Sequence, residues 1–102
     1  MKRTRMEPAE RRKLVLDAAL DLAETGNYLT MTRNQVAEAA GISGSHIHHL
    51  FGSTGGMRAA VLNEAILQEN LAVIGQGLIS KEVTYLPETL RKRALKYLLT
   101  SM

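Results

Sequence analysis

The three histidines of the chain, His46, His48 and His49, stand within four consecutive positions. Clustered imidazoles are common in metal sites and in sites of general acid–base catalysis. A zinc site needs three or four ligands, and the chain offers no cysteine at all and no carboxylate in the helix that carries the histidines. Acid–base catalysis needs a partner group and a pocket, and the sequence indicates neither. We therefore expect no metal, no cofactor and no enzymatic activity. Imidazole can still donate or accept a hydrogen bond, and the role of these rings depends on the elements that carry them.

The histidines lie in the second of two short predicted helices. Thr32 and Gln35 have the spacing of a capping box, which predicts a helix from about Arg33 to Ala40. Gly41 ends that helix, and Ser43 is a suitable N-cap for a second helix that reaches about Phe51.

This pair of helices has the pattern of a helix-turn-helix motif. Ala37 is small, so the second helix can cross close to the first, and Gly41 accepts the left-handed backbone of the turn. The remaining positions that fix the crossing are apolar: Val36, Ala40, Ile42, Ile47 and Leu50. The pattern favours a DNA-binding motif, and the alternative is an ordinary helix corner in a small bundle.

Helices are also predicted on both sides of the motif, and the fold class is all-α. The first helix runs from about Arg11 to Thr25, with Pro8 as a possible first residue and a left-handed end at Gly26-Asn27. Downstream, the sequence predicts a turn at 52–56, a long helix at 57–74 that frays or breaks at 75–77, a loop at 80–86 and a last helix from Pro87 to about Leu99.

The segment from Arg11 to Ile66 resembles the N-terminal domain of the tetracycline-repressor (TetR) family. The matching stretches are "LVLDAALDLA", "VAEAAGIS" and a recognition helix that closes in "HHLF". The resemblance implies a three-helix helix-turn-helix head, a linking helix after it, and insertion of the second motif helix into the major groove of double-stranded DNA. Members of the family are typically dimeric repressors.

The sequence departs from the family pattern at the recognition helix and after it. Gly44 and Ser45 stand where Lys-Gly is usual, His46 replaces a threonine, and His48 replaces a tyrosine that commonly contacts DNA. Thr54 stands where the family often has a lysine that binds phosphate; backbone amides at the start of the next helix could partly replace it.

The basic N-terminal arm, residues 1–10, adds a second candidate contact with DNA. It precedes the helix-turn-helix domain, residues 11–56, and a basic arm ahead of a folded domain suits a polyanion, although a solvated tail has the same composition. Histidines can also merely pack or cap. With these alternatives open, the candidate DNA-binding residues are Lys2, Arg3, Arg5, Thr32, Arg33, Ser43, Gly44, Ser45, His46, His48, His49 and Thr54.

A helical dimerisation region is expected at residues 57–102, because reading a groove twice, one turn apart, needs a two-fold dimer. Its apolar residues exceed what a three-helix head covers, although they could also fold back onto their own core. The candidate interface residues are Leu62, Ile66, Leu67, Leu71, Leu90, Leu95, Leu98 and Leu99.

Size and composition limit the function further. The 102 residues suggest one domain, and they leave no room for a typical inducer pocket, so no small-molecule inducer is expected. No apolar run is long enough to span a membrane, so we expect a cytoplasmic protein. We also expect a bacterial source, and a compact regulator suits a plasmid or phage. A net charge of +3 suits a polyanionic partner. Together with the family resemblance, which implies a dimeric repressor, this leads us to expect a homodimeric repressor of a palindromic operator. The alternatives are an architectural DNA-binding protein of weak sequence preference and a helical protein-interaction module.

Overall fold

The computed structural model describes residues 7–83 and 85–101. In this part of the chain it contains helices and no strand, so the predicted all-α fold is confirmed. The helices are α1 (Pro8–Thr25), α2 (Arg33–Ala40), α3 (Gly44–Phe51), α4 (Thr54–Leu67), α5 (Leu71–Ile79) and α6 (Glu88–Ser101). None of the helices described is both long and apolar enough to cross a membrane.

The start of α1 agrees with the sequence, but its end differs in conformation. Pro8 is the first helical residue, where its missing N–H costs nothing, and the helix ends at Thr25. The prediction of a left-handed residue at Gly26 is wrong, because its φ is −130°. The Gly26 carbonyl instead accepts a hydrogen bond from Gln76 Nε2 at 3.3 Å, so a contact with α5 sets the direction of the chain here.

The two helices of the motif begin and end where the sequence predicts. Thr32 caps α2, its hydroxyl accepting from the Gln35 amide at 3.1 Å while Gln35 Oε1 accepts from the Thr32 amide at 2.9 Å. Ser43 caps α3 by accepting from the His46 amide at 3.4 Å. Gly41 lies between them in the left-handed region with φ of 74°. Local capping signals therefore sufficed to place both helices.

The predicted turn at 52–56 is shorter in the structure. Only Gly52 and Ser53 lie outside the helices, and Ser53 caps α4 by accepting from the Gly56 amide at 3.0 Å. The glycines at 55 and 56 are therefore in the first turn of α4. The capping serine therefore outweighs the two glycines, and the helix begins before them.

The single helix predicted at 57–74 is wrong, because the chain forms two helices that are separated at residues 68–70. Glu69 takes the left-handed conformation with φ of 55°, and Asn70 starts α5 by accepting from the Val73 amide at 3.2 Å. This turn brings Val73 and Ile74, both fully buried, back onto the core of the chain. The apolar periodicity is continuous across the break and therefore did not reveal it.

The prediction of a frayed or broken helix at Gly75-Gln76-Gly77 is also wrong, since these residues lie inside α5. A Cβ at Gly75 would lie 2.8 Å from Leu98 Cδ2 of α6, and a Cβ at Gly77 would lie 2.8 Å from Leu62 Cδ1 of α4. The two glycines therefore allow α5 to pack closely between its neighbours. The predicted loop before α6 is confirmed for its described residues, which exclude 84.

One continuous core holds the motif in place. Val15 and Ala19 of α1, Val36 of α2, Ile47 of α3 and Val61 of α4 are all at most 1% exposed and belong to the same buried cluster. The cluster extends through α5 to Ala94 of α6, which packs chiefly on α5. The motif and α6 therefore lie in different parts of a molecule whose longest extent is 48 Å.

Candidate nucleic-acid interface

The turn between α2 and α3 fixes the angle at which α3 leaves the core. The Gly41 amide donates to the Glu38 carbonyl at 3.3 Å, and the Ile42 amide donates to the Ala37 carbonyl at 3.0 Å. These bonds satisfy carbonyl groups at the end of α2 that the helix itself leaves free. Ala37 is 4% exposed, as expected of the small residue where the two helices cross.

α3 presents its histidines to solvent. Ile47 is 1% exposed and anchors the helix, whereas His46, His48, His49 and Ser45 are exposed. Helical periodicity in the sequence predicts Ile47 on the buried face and the histidines mostly on the exposed sides, and the structure confirms this distribution. A helix with one buried anchor and a polar outer surface is the form in which a recognition helix enters a major groove.

A shallow depression lies between the N-terminal ends of α2 and α3. It is lined by Arg33, Asn34, Gly44, Ser45 and His48. Arg33 Nη1 lies 3.2 Å from His48 Nδ1 and joins the two helices across it. A Cβ at Gly44 would lie 3.3 Å from Asn34 Oδ1, so glycine at this position allows the first turn of α3 to lie close to α2. None of these five lining residues is a carboxylate, which suits an anionic or electron-rich partner.

The other predicted contacts near the motif have structural tasks as well. The hydroxyls of Thr32 and Ser43 are engaged in capping, and Ser43 Oγ also lies 3.0 Å from Ser45 Oγ. Thr54 is the first residue of α4 and is half-buried. The predicted arm contacts Lys2, Arg3 and Arg5 lie outside the described residues.

Arg12 fixes the far end of α3 and was not predicted from the sequence. Its guanidinium donates to the Leu50 carbonyl at 3.5 Å and lies 4.7 Å from the centre of the Phe51 ring. The cation over the ring and the donor on the helix C-terminus both stabilise this end. Because 38 residues separate Arg12 from Leu50, no local pattern could have indicated the contact.

Arg58 of α4 holds the segment in front of α2 and was missed for the same reason. Its Nε and Nη2 both donate to the Met31 carbonyl, at 3.1 and 2.8 Å. Met31 is 4% exposed and stands before the capping box of α2. Asn34, which lines the depression, was also missed, although it adjoins Arg33, a predicted contact.

The charges on α1 are partly neutralised by neighbours. Lys13 Nζ lies 2.9 Å from Asp17 and 3.7 Å from Glu64. The hydrogen bond from Lys13 lowers the pKa of Asp17, and the same bond raises the pKa of Lys13. Lys13 is therefore engaged within the chain, while Arg33 carries its charge beside the exposed histidines.

The candidate interface leucines fall into three groups in the structure. Leu62 and Leu90 are each 6% exposed and belong to the core of the chain itself. Ile66, Leu71 and Leu98 are half-buried. Three leucines remain largely exposed: Leu67 at 78%, Leu95 at 45% and Leu99 at 75%.

Comparison with known protein families agrees with this geometry. Residues 15–61 match the model of the family described as bacterial regulatory proteins, tetR family. The matched segment begins in α1, includes the whole of α2 and α3, and ends in α4. Among curated proteins and solved structures, no match to the chain was found.

Residues 15–61 therefore resemble the helix-turn-helix DNA-binding domain of the TetR family, and the resemblance predicted from the sequence is confirmed. Proteins of this family are transcription regulators that bind double-stranded DNA, typically dimerise and are not enzymes.

Proposed function

We propose that this protein is a homodimeric transcriptional repressor that binds a palindromic operator, with the helix at 43–51 in the major groove. The exposed histidines of α3 carry the proposal, because they stand on a helix that is fixed at both ends. Ser43 caps its start, and Arg12 holds its end. Preorganised side chains lose less conformational entropy when they bind.

The candidate contacts divide by the part of the DNA that each would meet. His46, His48 and His49 are exposed on α3, where they can reach base edges or phosphates. Thr32 and Arg33 at the start of α2, and Thr54 at the start of α4, stand at helix N-termini, which favour phosphate. The arm would add further phosphate contacts and a dependence of affinity on salt.

A two-fold dimer would be formed by the dimerisation region, residues 57–102. Leu67, Leu95 and Leu99 are the exposed leucines available to a second copy, and Leu95 and Leu99 share one side of α6 because they are four residues apart. α6 packs chiefly on α5, so a dimer that covers α6 would leave α3 free to bind DNA. Half-sites would then be about 34–36 Å apart, or a multiple of that distance.

The oligomeric state can be tested by analytical ultracentrifugation. We expect the unmodified chain to sediment as a dimer and the double variant Leu95→Glu, Leu99→Glu as a monomer. Leu14→Glu is the matched control, because Leu14 is 41% exposed on α1, outside the proposed interface. A dimer in all three samples would place the interface elsewhere, and monomers throughout would overturn the dimer.

DNA binding can be tested by a gel-shift assay on the DNA upstream of the protein's own coding sequence, with unrelated competitor DNA. A shift that survives the competitor supports a sequence-specific regulator. We expect His46→Ala to weaken it by about 1–3 kcal/mol if the ring reads a base edge. Arg91→Ala, an exposed cation on α6, is the control and should leave the shift unchanged.

The same assay separates the other functions. A shift that unrelated DNA abolishes would indicate an architectural DNA-binding protein of weak sequence preference. The absence of any shift at moderate salt would overturn DNA binding and favour a protein-interaction module that uses the exposed leucines.

The arm is tested by the salt dependence of the affinity. Deletion of residues 1–5 removes Lys2, Arg3 and Arg5. The slope of log affinity against log salt should become shallower by about 0.9 for each phosphate that the shortened protein no longer neutralises. An unchanged slope would mean that the arm is a solvated tail.

A further inference from the structure

The contact between Arg33 and His48 constrains the chemistry of one recognition side chain. Arg33 is the first residue of α2 and His48 lies in the middle of α3, and 3.2 Å separates Nη1 of the arginine from Nδ1 of the imidazole. Among the described side chains, this is the hydrogen bond that joins α2 directly to α3.

The direction of the hydrogen bond follows from the two groups. A guanidinium has N–H donors only and keeps its charge at all ordinary pH values. His48 Nδ1 must therefore accept, which it does only when it carries no proton. A neutral imidazole has one ring proton, so in this arrangement the proton is on Nε2.

We propose that Arg33 is a specificity-determining positioning residue, which holds His48 in its Nε2–H form so that the ring meets DNA as a hydrogen-bond donor. The inference rests on the proposed function for its DNA partner. The partner would be an acceptor in the major groove: N7 of a purine, O6 of guanine or O4 of thymine. The amino groups of cytosine and adenine, which only donate, are excluded as partners of this nitrogen.

The surroundings of the pair agree with an electron-rich partner. The depression beside it has Asn34, Gly44 and Ser45 as its other lining residues, and none of them is acidic. Gly44 has no side chain that would fill the space in front of Asn34, which a Cβ would approach to 3.3 Å. A base edge can therefore come close to α3 beside the exposed ring of His48.

His46 and His49 provide internal controls. Both are exposed on the same helix, and neither ring makes a hydrogen bond to a described residue. Without such a partner an exposed ring exchanges between its two neutral tautomers. The constraint is thus specific to His48.

The tautomer can be measured without DNA by nitrogen-15 NMR of the imidazole rings. At about pH 8, where an ordinary imidazole is neutral, we expect His48 to show a single tautomer with Nδ1 unprotonated, and His46 and His49 to show a mixture. Arg33→Ala should return His48 to the mixture, while Arg33→Lys, which keeps a donor and the charge, should retain part of the bias. If His48 matches its two neighbours, or if Arg33→Ala leaves it unchanged, the proposal is overturned.

The consequence for DNA is tested on the upstream duplex by a double-mutant cycle. We expect Arg33→Ala to weaken binding about tenfold in the unmodified background and at most about threefold in the His48→Ala background, because residues that act through one another are not additive. Equal losses in both backgrounds would show that Arg33 acts on DNA independently of His48, and would overturn its positioning role.

The acceptor is identified with duplexes that carry 7-deazapurines or thymine analogues without O4, one position at a time. One modification should weaken the unmodified protein and leave His48→Ala unaffected. If no acceptor-deleting modification, including loss of guanine O6, distinguishes the two proteins, His48 does not read a base acceptor. If the unmodified chain binds no DNA, the proposed function fails and the DNA half of this inference with it, whereas the NMR result decides the tautomer independently.

Discussion

The junction between α3 and α4 gives the sharpest test of the structure, through two adjacent glycines. A Cβ at Gly56 would lie 2.4 Å from the Phe51 carbonyl oxygen, a backbone atom that cannot turn aside. A Cβ at Gly55 would meet Ser53 Oγ at 3.7 Å, an ordinary contact. Both glycines lie in the first turn of α4, and neither has a positive φ. Gly55→Ala is therefore a matched control for Gly56→Ala.

The expected magnitude follows from the contact. Each alanine gains helix propensity of up to about 1 kcal/mol, and this gain is similar in the two variants. Their difference therefore isolates the overpacking at Gly56, which typically costs about 1–3 kcal/mol because backbone must shift. The free energy of unfolding of Gly56→Ala should therefore be about 1–3 kcal/mol below that of Gly55→Ala. Each kcal/mol corresponds to a Tm that is lower by about 4–8 °C.

The measurement is urea and thermal unfolding of the three proteins, followed by circular dichroism. Because Phe51 ends α3, Gly56→Ala should also weaken DNA binding relative to Gly55→Ala. Equal stability of the two variants would show that α3 and α4 do not meet at this distance, and the reasoning would be refuted.

Three further outcomes follow from other contacts. Gln76→Ala removes the acceptor of the Tyr28 amide and the donor to two carbonyl groups near the end of α1. We expect the free energy of unfolding in urea to fall by about 1–3 kcal/mol. A fall below about 0.5 kcal/mol, the lower end of what a hydrogen bond contributes, would show that these bonds do not stabilise the fold. Burial raises the pKa of Tyr28, so the folded state holds the phenol proton more tightly than the unfolded state does. The stability that this group contributes should be complete below about pH 10 and should be lost as the pH rises further. When unfolding is measured from about pH 8 to 11, Tyr28→Phe should lack that decline. Arg12→Ala should weaken DNA binding more than Arg12→Lys, because lysine keeps a cation near the end of α3; equal losses would exclude a role of the charge.

Local signals predicted much of the candidate site. The capping residues Thr32, Gln35 and Ser43 and the left-handed Gly41 placed α2 and α3 correctly, because each acts on backbone groups only a few residues away. The burial of Ile47 and the exposure of its histidine neighbours followed from helical periodicity.

The errors lie where distant parts of the chain meet. Apolar periodicity ran unbroken through the turn at Glu69, and the glycines of α5 looked like a break. In the structure, Gly75 and Gly77 are the positions where α5 touches Leu98 and Leu62. The sequence does not distinguish a glycine that permits close packing from a glycine that ends a helix, because the difference depends on the neighbouring element.

The sequence by itself determined the class of fold, the limits of the two motif helices and the side of α3 that faces solvent. These properties depend on interactions within one or two helical turns. Only the tertiary structure decided what holds that side in place: Arg12 on the end of α3, Arg58 on the segment before α2, and Arg33 on His48. Each of these contacts joins residues at least 15 positions apart. Such pairs are brought together by the packing of the shared core, so no spacing in the sequence predicts them.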